Sequence, residues 1–124
     1  VKLFGEYDGY GPGEQTRDFI YVKDVVKVLF DFWQHPERKG VFNLGTGHAH
    51  TFNDMAKAVL EFFGSGELVY VPFPEVLKGK YQSYTQADTT KLLAAGYTGG
   101  FTDFSQAVKE YCQVLQDSDG YYKA

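Results

Sequence analysis

Arg17-Asp18-Phe19-Ile20-Tyr21-Val22-Lys23-Asp24-Val25 sets a planar cation directly before a β-branched, aromatic run and an acidic helix start. Residues 18–22 favour a short extended segment. Val25, Val28, Leu29, Phe32 and Trp33 then follow helical spacing and are expected to share one face. Asp24 stands before that run, where a carboxylate accepts the free amide hydrogens of a helix start. His35-Pro36 closes the helix, because proline disfavours the helical conformation of the residue before it. Upstream, Gly5, Gly9, Gly11, Pro12 and Gly13 make residues 5–16 a loop, and Val1-Lys2-Leu3-Phe4 has the character of a strand. The chain opens on valine, which fits a fragment, a processed product or a trimmed chain.

Downstream, Val41-Phe42-Asn43-Leu44 predicts a short strand running into Gly45-Thr46-Gly47. Thr51 followed by Asp54 has the spacing of a capping box. Phe52, Met55, Ala56, Val59, Leu60 and Phe63 stripe the helix it opens, and Gly64 stops it. Leu68-Val69-Tyr70-Val71 predicts a strand ended by Pro72. Residues 73–87 form a loop with two tyrosines. Asp88 is placed to cap a short helix through Leu93 that ends near Gly96. Phe104, Ala107, Val108, Tyr111 and Leu115 stripe a last helix, followed by a polar, fraying tail after Asp117. Strands alternate with helices, so the class is α/β.

At 124 residues, with 44% apolar and 18% aromatic residues, the chain fits one domain with a real core. A net charge of −4 argues against nucleic acid, whose binding needs a basic face. No apolar run approaches the ~18 residues of a membrane span, and no signal peptide opens the chain. Cys112 cannot form an internal disulfide as the only cysteine, and it falls on an apolar helix face as a buried thiol. A reducing, cytoplasmic location is expected.

Gly45-Thr46-Gly47 follows a strand and precedes a helix, as a dinucleotide loop does. The fingerprint's third glycine would fall at His50, so a tight turn is the better reading. His48 and His50 lack further converging donors, and no metal site is expected. No tyrosine has a lysine four positions on, so the proton-shuttling Tyr-x-x-x-Lys pair is absent. Arg17 has two readings from the local residues: a surface ion pair with Asp18 or Glu14, or a fork that grips a diphosphate through parallel charge-assisted hydrogen bonds. Tyr81, between Lys80 and Gln82, is likewise a packing residue or a ligand contact.

The Arg17–Val25 stretch and Phe42-Asn43-Leu44-Gly45-Thr46-Gly47 resemble the carboxy-terminal part of extended short-chain dehydrogenases/reductases. Lys78-Gly79-Lys80-Tyr81-Gln82-Ser83-Tyr84-Thr85-Gln86-Ala87-Asp88 is narrower. With Pro72-Phe73-Pro74 and Ala95-Gly96-Tyr97 it resembles the ADP-L-glycero-D-manno-heptose 6-epimerase family. The resemblance spans nearly the whole chain and departs at residues 5–16, which are longer and richer in glycine.

That resemblance implies one carboxy-terminal sugar-nucleotide-binding region over residues 1–124. A late strand of the Rossmann-type sheet is included, and the dinucleotide-binding part lies outside. It implies substrate contacts from Phe4, Gly5, Glu6, Tyr7, Arg17 and Tyr81, with no catalytic, cofactor-binding or metal residue in this chain. Enzymes of the family invert C6 of ADP-linked heptose, a lipopolysaccharide precursor, by transient oxidation on bound NADP. A homo-oligomeric, cytoplasmic protein is implied, inactive as this piece alone. Two alternatives stay open: another sugar-nucleotide epimerase or dehydratase, and a binding module without catalysis.

Overall fold

A computed structural model describes residues 1–118 and 120. The expected fraying of the tail therefore falls mostly outside the described residues. Four short strands and four α-helices follow in the order β1 (Lys2–Phe4), β2 (Thr16–Arg17), α1 (Val22–Gln34), β3 (His50–Thr51), α2 (Phe52–Phe63), β4 (Val69–Val71), α3 (Thr90–Ala94) and α4 (Phe104–Asp117). A 3-10 turn spans Glu75–Leu77. β1 pairs in parallel with β4, Leu3 opposite Tyr70. β2 pairs antiparallel with β3, Arg17 opposite His50. The architecture is α/β, as expected.

Thr51, Asp54 and Gly64 behave as read, and further local signals appear beside them. Thr51 accepts from the Asp54 amide at 3.0 Å and Asp54 accepts from the Thr51 amide at 2.9 Å, a complete capping box. Gly64 ends α2 in the left-handed conformation. Asp103 caps α4 by accepting from the Gln106 amide. Within the 5–16 loop, Asp8 and Gly9 both have positive φ. Tyr7 and Tyr10 exchange backbone hydrogen bonds across them. This is the two-residue hairpin that an Asp-Gly pair favours.

Asp24 corrects the sequence reading. The helix begins at Val22, with Tyr21 at its cap position, so Asp24 lies inside the first turn. Its side chain is fully buried. It accepts from the amide and hydroxyl of Thr102 at 2.8 and 3.0 Å and from Lys27 at 2.7 Å. A partner 78 residues away has taken a group that the local pattern assigned to capping. The extended segment read over residues 18–22 forms no regular strand either: pairing falls instead on Thr16–Arg17, within the stretch read as loop, and Val22 already belongs to the helix. Asp88 bonds the Thr90 amide, but Thr89 holds the cap position of α3.

Residues 41–44 form no regular strand. No backbone ladder bond reaches them among the described residues. Only side chains bond here: Lys91 donates to the Val41 carbonyl and Asn43 to that of Asp88. The α1 stripe also divides. Val28 is buried with Leu92 and Tyr97, and Phe32, Leu44 and Phe101 pack on that cluster. Leu29 and Trp33 face solvent instead. Cys112 is buried, as expected, and that burial raises its thiol pKa.

Replacing Asp24 by alanine leaves the partly buried Thr102 amide without its acceptor, which costs ~1–3 kcal/mol. Urea denaturation of Asp24→Ala is expected to show that loss. Lys27→Ala, which removes only an exposed partner, is expected to change stability far less.

Candidate functional site

Arg17 ends β2, and its guanidinium lies between two aromatic rings. Its central carbon is 4.8 Å from the Tyr81 ring centroid and 5.6 Å from that of Phe52. Nη1 donates to the Thr16 carbonyl at 2.7 Å. Arg17 pairs with neither Asp18 nor Glu14, so the surface ion-pair reading does not hold among the described residues. A guanidinium held by two rings keeps its charge and loses little further freedom when an anion arrives.

Tyr81 belongs to a second aromatic group. Its ring meets Phe4 at 6.0 Å and Phe73 at 5.3 Å, both edge-on. Phe4 meets Phe73 at 5.3 Å, and Tyr7 stacks on Phe73 at 3.9 Å. The Tyr7 hydroxyl accepts from the Gly79 amide at 2.5 Å, tying the glycine-rich loop to the loop that carries Tyr81. The Gly5 amide donates to the Val71 carbonyl at 2.7 Å, and the Gly5 carbonyl accepts from buried Gln15 at 3.0 Å. Phe4, Gly5, Tyr7, Arg17 and Tyr81 are thus brought together. Glu6 is exposed, and its side chain makes no hydrogen bond or ion pair among the described residues.

The loop before Arg17 is fixed from beneath. Asn53 is buried and donates to the Pro12 carbonyl and to Glu14, and it accepts from the Tyr70 hydroxyl. Gly13 lies against it with φ +70°, and a Cβ there would sit 2.2 Å from Asn53 Oδ1. Only glycine satisfies both the backbone angle and the approach. Thr16 Oγ1 and Ser83 Oγ, on the segments flanking Arg17 and Tyr81, are buried without a hydrogen-bond partner among the described residues.

Asp18 is the residue that sequence reasoning passed over. Oδ1 accepts from the Thr46 amide at 2.8 Å and the Thr46 hydroxyl at 2.6 Å. Oδ2 accepts from the Gly47 amide at 2.9 Å and the Ala87 amide at 3.1 Å. The amides of the Gly45-Thr46-Gly47 turn therefore hold this protein's own carboxylate, and they are not open to a pyrophosphate. The turn does not fit a dinucleotide. A Cβ on Gly45 would lie 2.5 Å from that of Ala87 and 2.6 Å from Asp18 Oδ2, so glycine is needed there to seat the carboxylate. Phe52 and Phe73 were also missed as site residues. Apolar spacing marks Phe52 for a helix core, and only the β2–β3 register places it beside Arg17.

His50 stacks on Phe104 at 4.0 Å, and His48 is exposed. Among the described residues no three metal-ligating side chains converge. No helix there is long and apolar enough to cross a membrane.

Known proteins share part of this sequence and its fold. Residues 2–45 match the NAD dependent epimerase/dehydratase family. The whole fold resembles solved structures of sugar-nucleotide enzymes. UDP-glucose 4-epimerase of Thermotoga maritima, solved with UDP-glucose, is 29% identical with a TM-score of 0.73, and the match covers 95% of this chain and 35% of that one. ADP-L-glycero-D-manno-heptose-6-epimerase of Helicobacter pylori is 28% identical with a TM-score of 0.72, covering 94% and 33%. A GDP-L-fucose synthetase of Naegleria fowleri bound to NADP shares the fold at 22% identity and a TM-score of 0.72, covering 98% and 36%. The chain spans about a third of the length of these proteins. The fold is that of these Rossmann-type extended short-chain dehydrogenase/reductase neighbours.

Burial raises the Asp18 pKa, but the bonds from the Thr46 hydroxyl, the Thr46 amide, Ala87 and Gly47 outweigh it and hold the carboxyl below its ordinary value of 3.8. A lowered folded pKa gives stability that is fully present above the unfolded value and is lost as pH falls through the folded one. In Asp18→Asn the new NH2 faces at least one amide donor that the carboxylate accepted. Urea denaturation at pH 7 is expected to show a loss of about 1–3 kcal/mol. The gap from wild type is expected to narrow steadily below about pH 4.

Proposed function

We propose that this chain is the substrate-anchoring part of a sugar-nucleotide epimerase acting on ADP-linked heptose, with Arg17 as the diphosphate clamp. The observation that carries the proposal is the guanidinium of Arg17 held between Tyr81 and Phe52 with no carboxylate partner among the described residues. A fork in that state matches two phosphate oxygens through parallel, charge-assisted hydrogen bonds. Tyr81 serves twice in this reading, as a wall that fixes Arg17 and as a hydroxyl and ring at the ligand. Phe4, Gly5 and Tyr7 form the adjoining wall, and Glu6 reaches the ligand from the exposed side.

Anchoring the diphosphate supplies binding energy remote from the reacting carbon, while the sugar end stays free to present either face. The enzyme's hydride chemistry belongs to NADP, in the proposal, bound by polypeptide outside this chain. The residues present do not fit that cofactor, since Asp18 fills the Gly45-Thr46-Gly47 turn that joins a strand-like segment to a helix, and no Tyr-x-x-x-Lys pair occurs. Homo-oligomer formation and a cytoplasmic setting belong to the same proposal. The Lys78–Asp88 motif favours the ADP-heptose substrate. The similar identities to a UDP-glucose and an ADP-heptose epimerase make a UDP-sugar the second reading.

The longer polypeptide that carries this chain is the material for the test. Its affinity for ADP-, UDP- and GDP-linked sugars is compared by calorimetry. Preference for the ADP-linked heptose by at least ~10-fold, about 1.4 kcal/mol, is expected. Equal affinity for all three removes the ADP-heptose assignment, and preference for a UDP-sugar selects the second reading.

A further inference from the structure

Gln15 stands two residues before Arg17 and is 1% exposed, although glutamine is a residue that usually faces water. Burying a side-chain amide is unfavourable unless it is hydrogen-bonded, and an apolar side chain of the same length fills the volume without that cost. The bond it makes is to the site. Nε2 donates to the Gly5 carbonyl at 3.0 Å, and the backbone carbonyl of Gln15 accepts from the Phe52 amide at 3.1 Å. Phe52 is one of the two rings around Arg17, and Gly5 begins the wall that carries Tyr7.

The backbone around Gln15 shows what that bond joins. The Gly13 amide donates to the Phe4 carbonyl at 2.9 Å, and the Gly13 carbonyl accepts from the Asn53 amide at 3.0 Å. Residues 5–15 are therefore a loop whose two ends lie side by side, the compact kind that packs on its own side chains. One end is seated on the first turn of α2 through the carbonyls of Gly13 and Gln15. The other end leaves β1 and carries Gly5, Glu6 and Tyr7. A backbone bond, Gly13 to Phe4, and a side-chain bond, Gln15 to Gly5, close the neck between them. Glycine is required at Gly5 for its close approach to β4, since a Cβ there would lie 3.2 Å from the Val71 carbonyl oxygen.

We infer, on the clamp reading of Arg17, that Gln15 is a positioning residue. Its side-chain amide sets the Gly5–Tyr7 wall at a fixed distance from the clamp, so that a sugar nucleotide is gripped beyond its diphosphate as well as at it. Gln15 is enclosed and acts through Gly5 without touching the ligand. When the donor is lost, the Gly5 carbonyl faces an apolar group and turns toward water. The Gly5 amide stays bonded to Val71, so the movement falls on the residues after it, Glu6 and Tyr7. Arg17 keeps its place, because the contacts that hold it come from Tyr81, Phe52 and the Thr16 carbonyl.

Two variants of the longer polypeptide test this. Gln15→Met keeps the length of the side chain and removes the donor. Its affinity for ADP-linked heptose is expected to fall by at least ~10-fold, with the preference for ADP over AMP unchanged from wild type. Gln15→Glu has the same shape and offers a donor only while its carboxyl is protonated. Burial raises a carboxyl pKa, so at about pH 5 this variant is expected to bind ADP-linked heptose as wild type does, and at about pH 9 at least ~10-fold more weakly. Glu14, which bonds Asn53, and Arg17 are charged neighbours present in both proteins, so their effects cancel in the comparison with wild type at each pH. Wild-type affinity in Gln15→Met overturns the inference. So does a deficit in Gln15→Glu that is the same at both pH values, which is the mark of a space-filling role. Loss of the ADP preference in either variant also overturns it, because that puts Gln15 in the clamp itself. Where Gln15→Met does not fold, the pH comparison in Gln15→Glu decides. Failure of the clamp reading shows separately, as an ADP preference that survives Arg17→Ala.

Discussion

The carboxylate of Asp18 is the constraint on which the arrangement around Arg17 depends. Four hydrogen bonds converge on it from two segments, the Gly45-Thr46-Gly47 turn and Ala87. They bind the end of β2 to the turn before β3 and to the segment that leads back to Tyr81. Arg17 is the preceding residue, so fixing Asp18 fixes the root of the guanidinium. Each bond to a charged acceptor is stronger than a neutral one, and four on one group resist displacement by water. The same bonds occupy the carboxylate, and Arg17 has no carboxylate partner among the described residues.

Aromatic contacts extend that order. Phe4, Phe73 and Tyr81 meet edge to face on one side of Arg17. On the other side Phe52 meets Phe19, Phe19 meets Phe104, and Phe104 stacks on His50. The cation thus sits in a line of rings drawn from β1, β3, α2, α4 and the loops that carry Phe19, Phe73 and Tyr81. Rings carry few rotatable bonds, so such a line is stiff at low entropic cost. Anchoring a diphosphate calls for that stiffness.

Much of this was legible in the sequence where the physics is local. The Thr51–Asp54 capping box, the Gly64 stop and the α4 stripe depend on residues within a turn of one another, and each forms. Asp24 and Asp18 were misread or missed because their partners lie 28 to 78 residues away. A carboxylate before an apolar helix signals a cap, and nothing local says that Thr102 will claim it. Phe52 carries the same lesson, since helical spacing marks it as core and only strand pairing brings it to Arg17. The α1 stripe misled in the other direction: periodicity shows that residues are apolar on one side and cannot show which of them find a partner within these residues. Arg17 and Tyr81, by contrast, were singled out from sequence motifs, and the fold brings them into contact.

The most direct measurement of the central claim is a comparison of AMP and ADP binding to the longer polypeptide, with and without Arg17→Ala. The clamp account predicts that the variant loses ~2–5 kcal/mol of ADP affinity. AMP affinity falls much less, so the preference for the diphosphate collapses. A preference for ADP over AMP that survives Arg17→Ala contradicts the account.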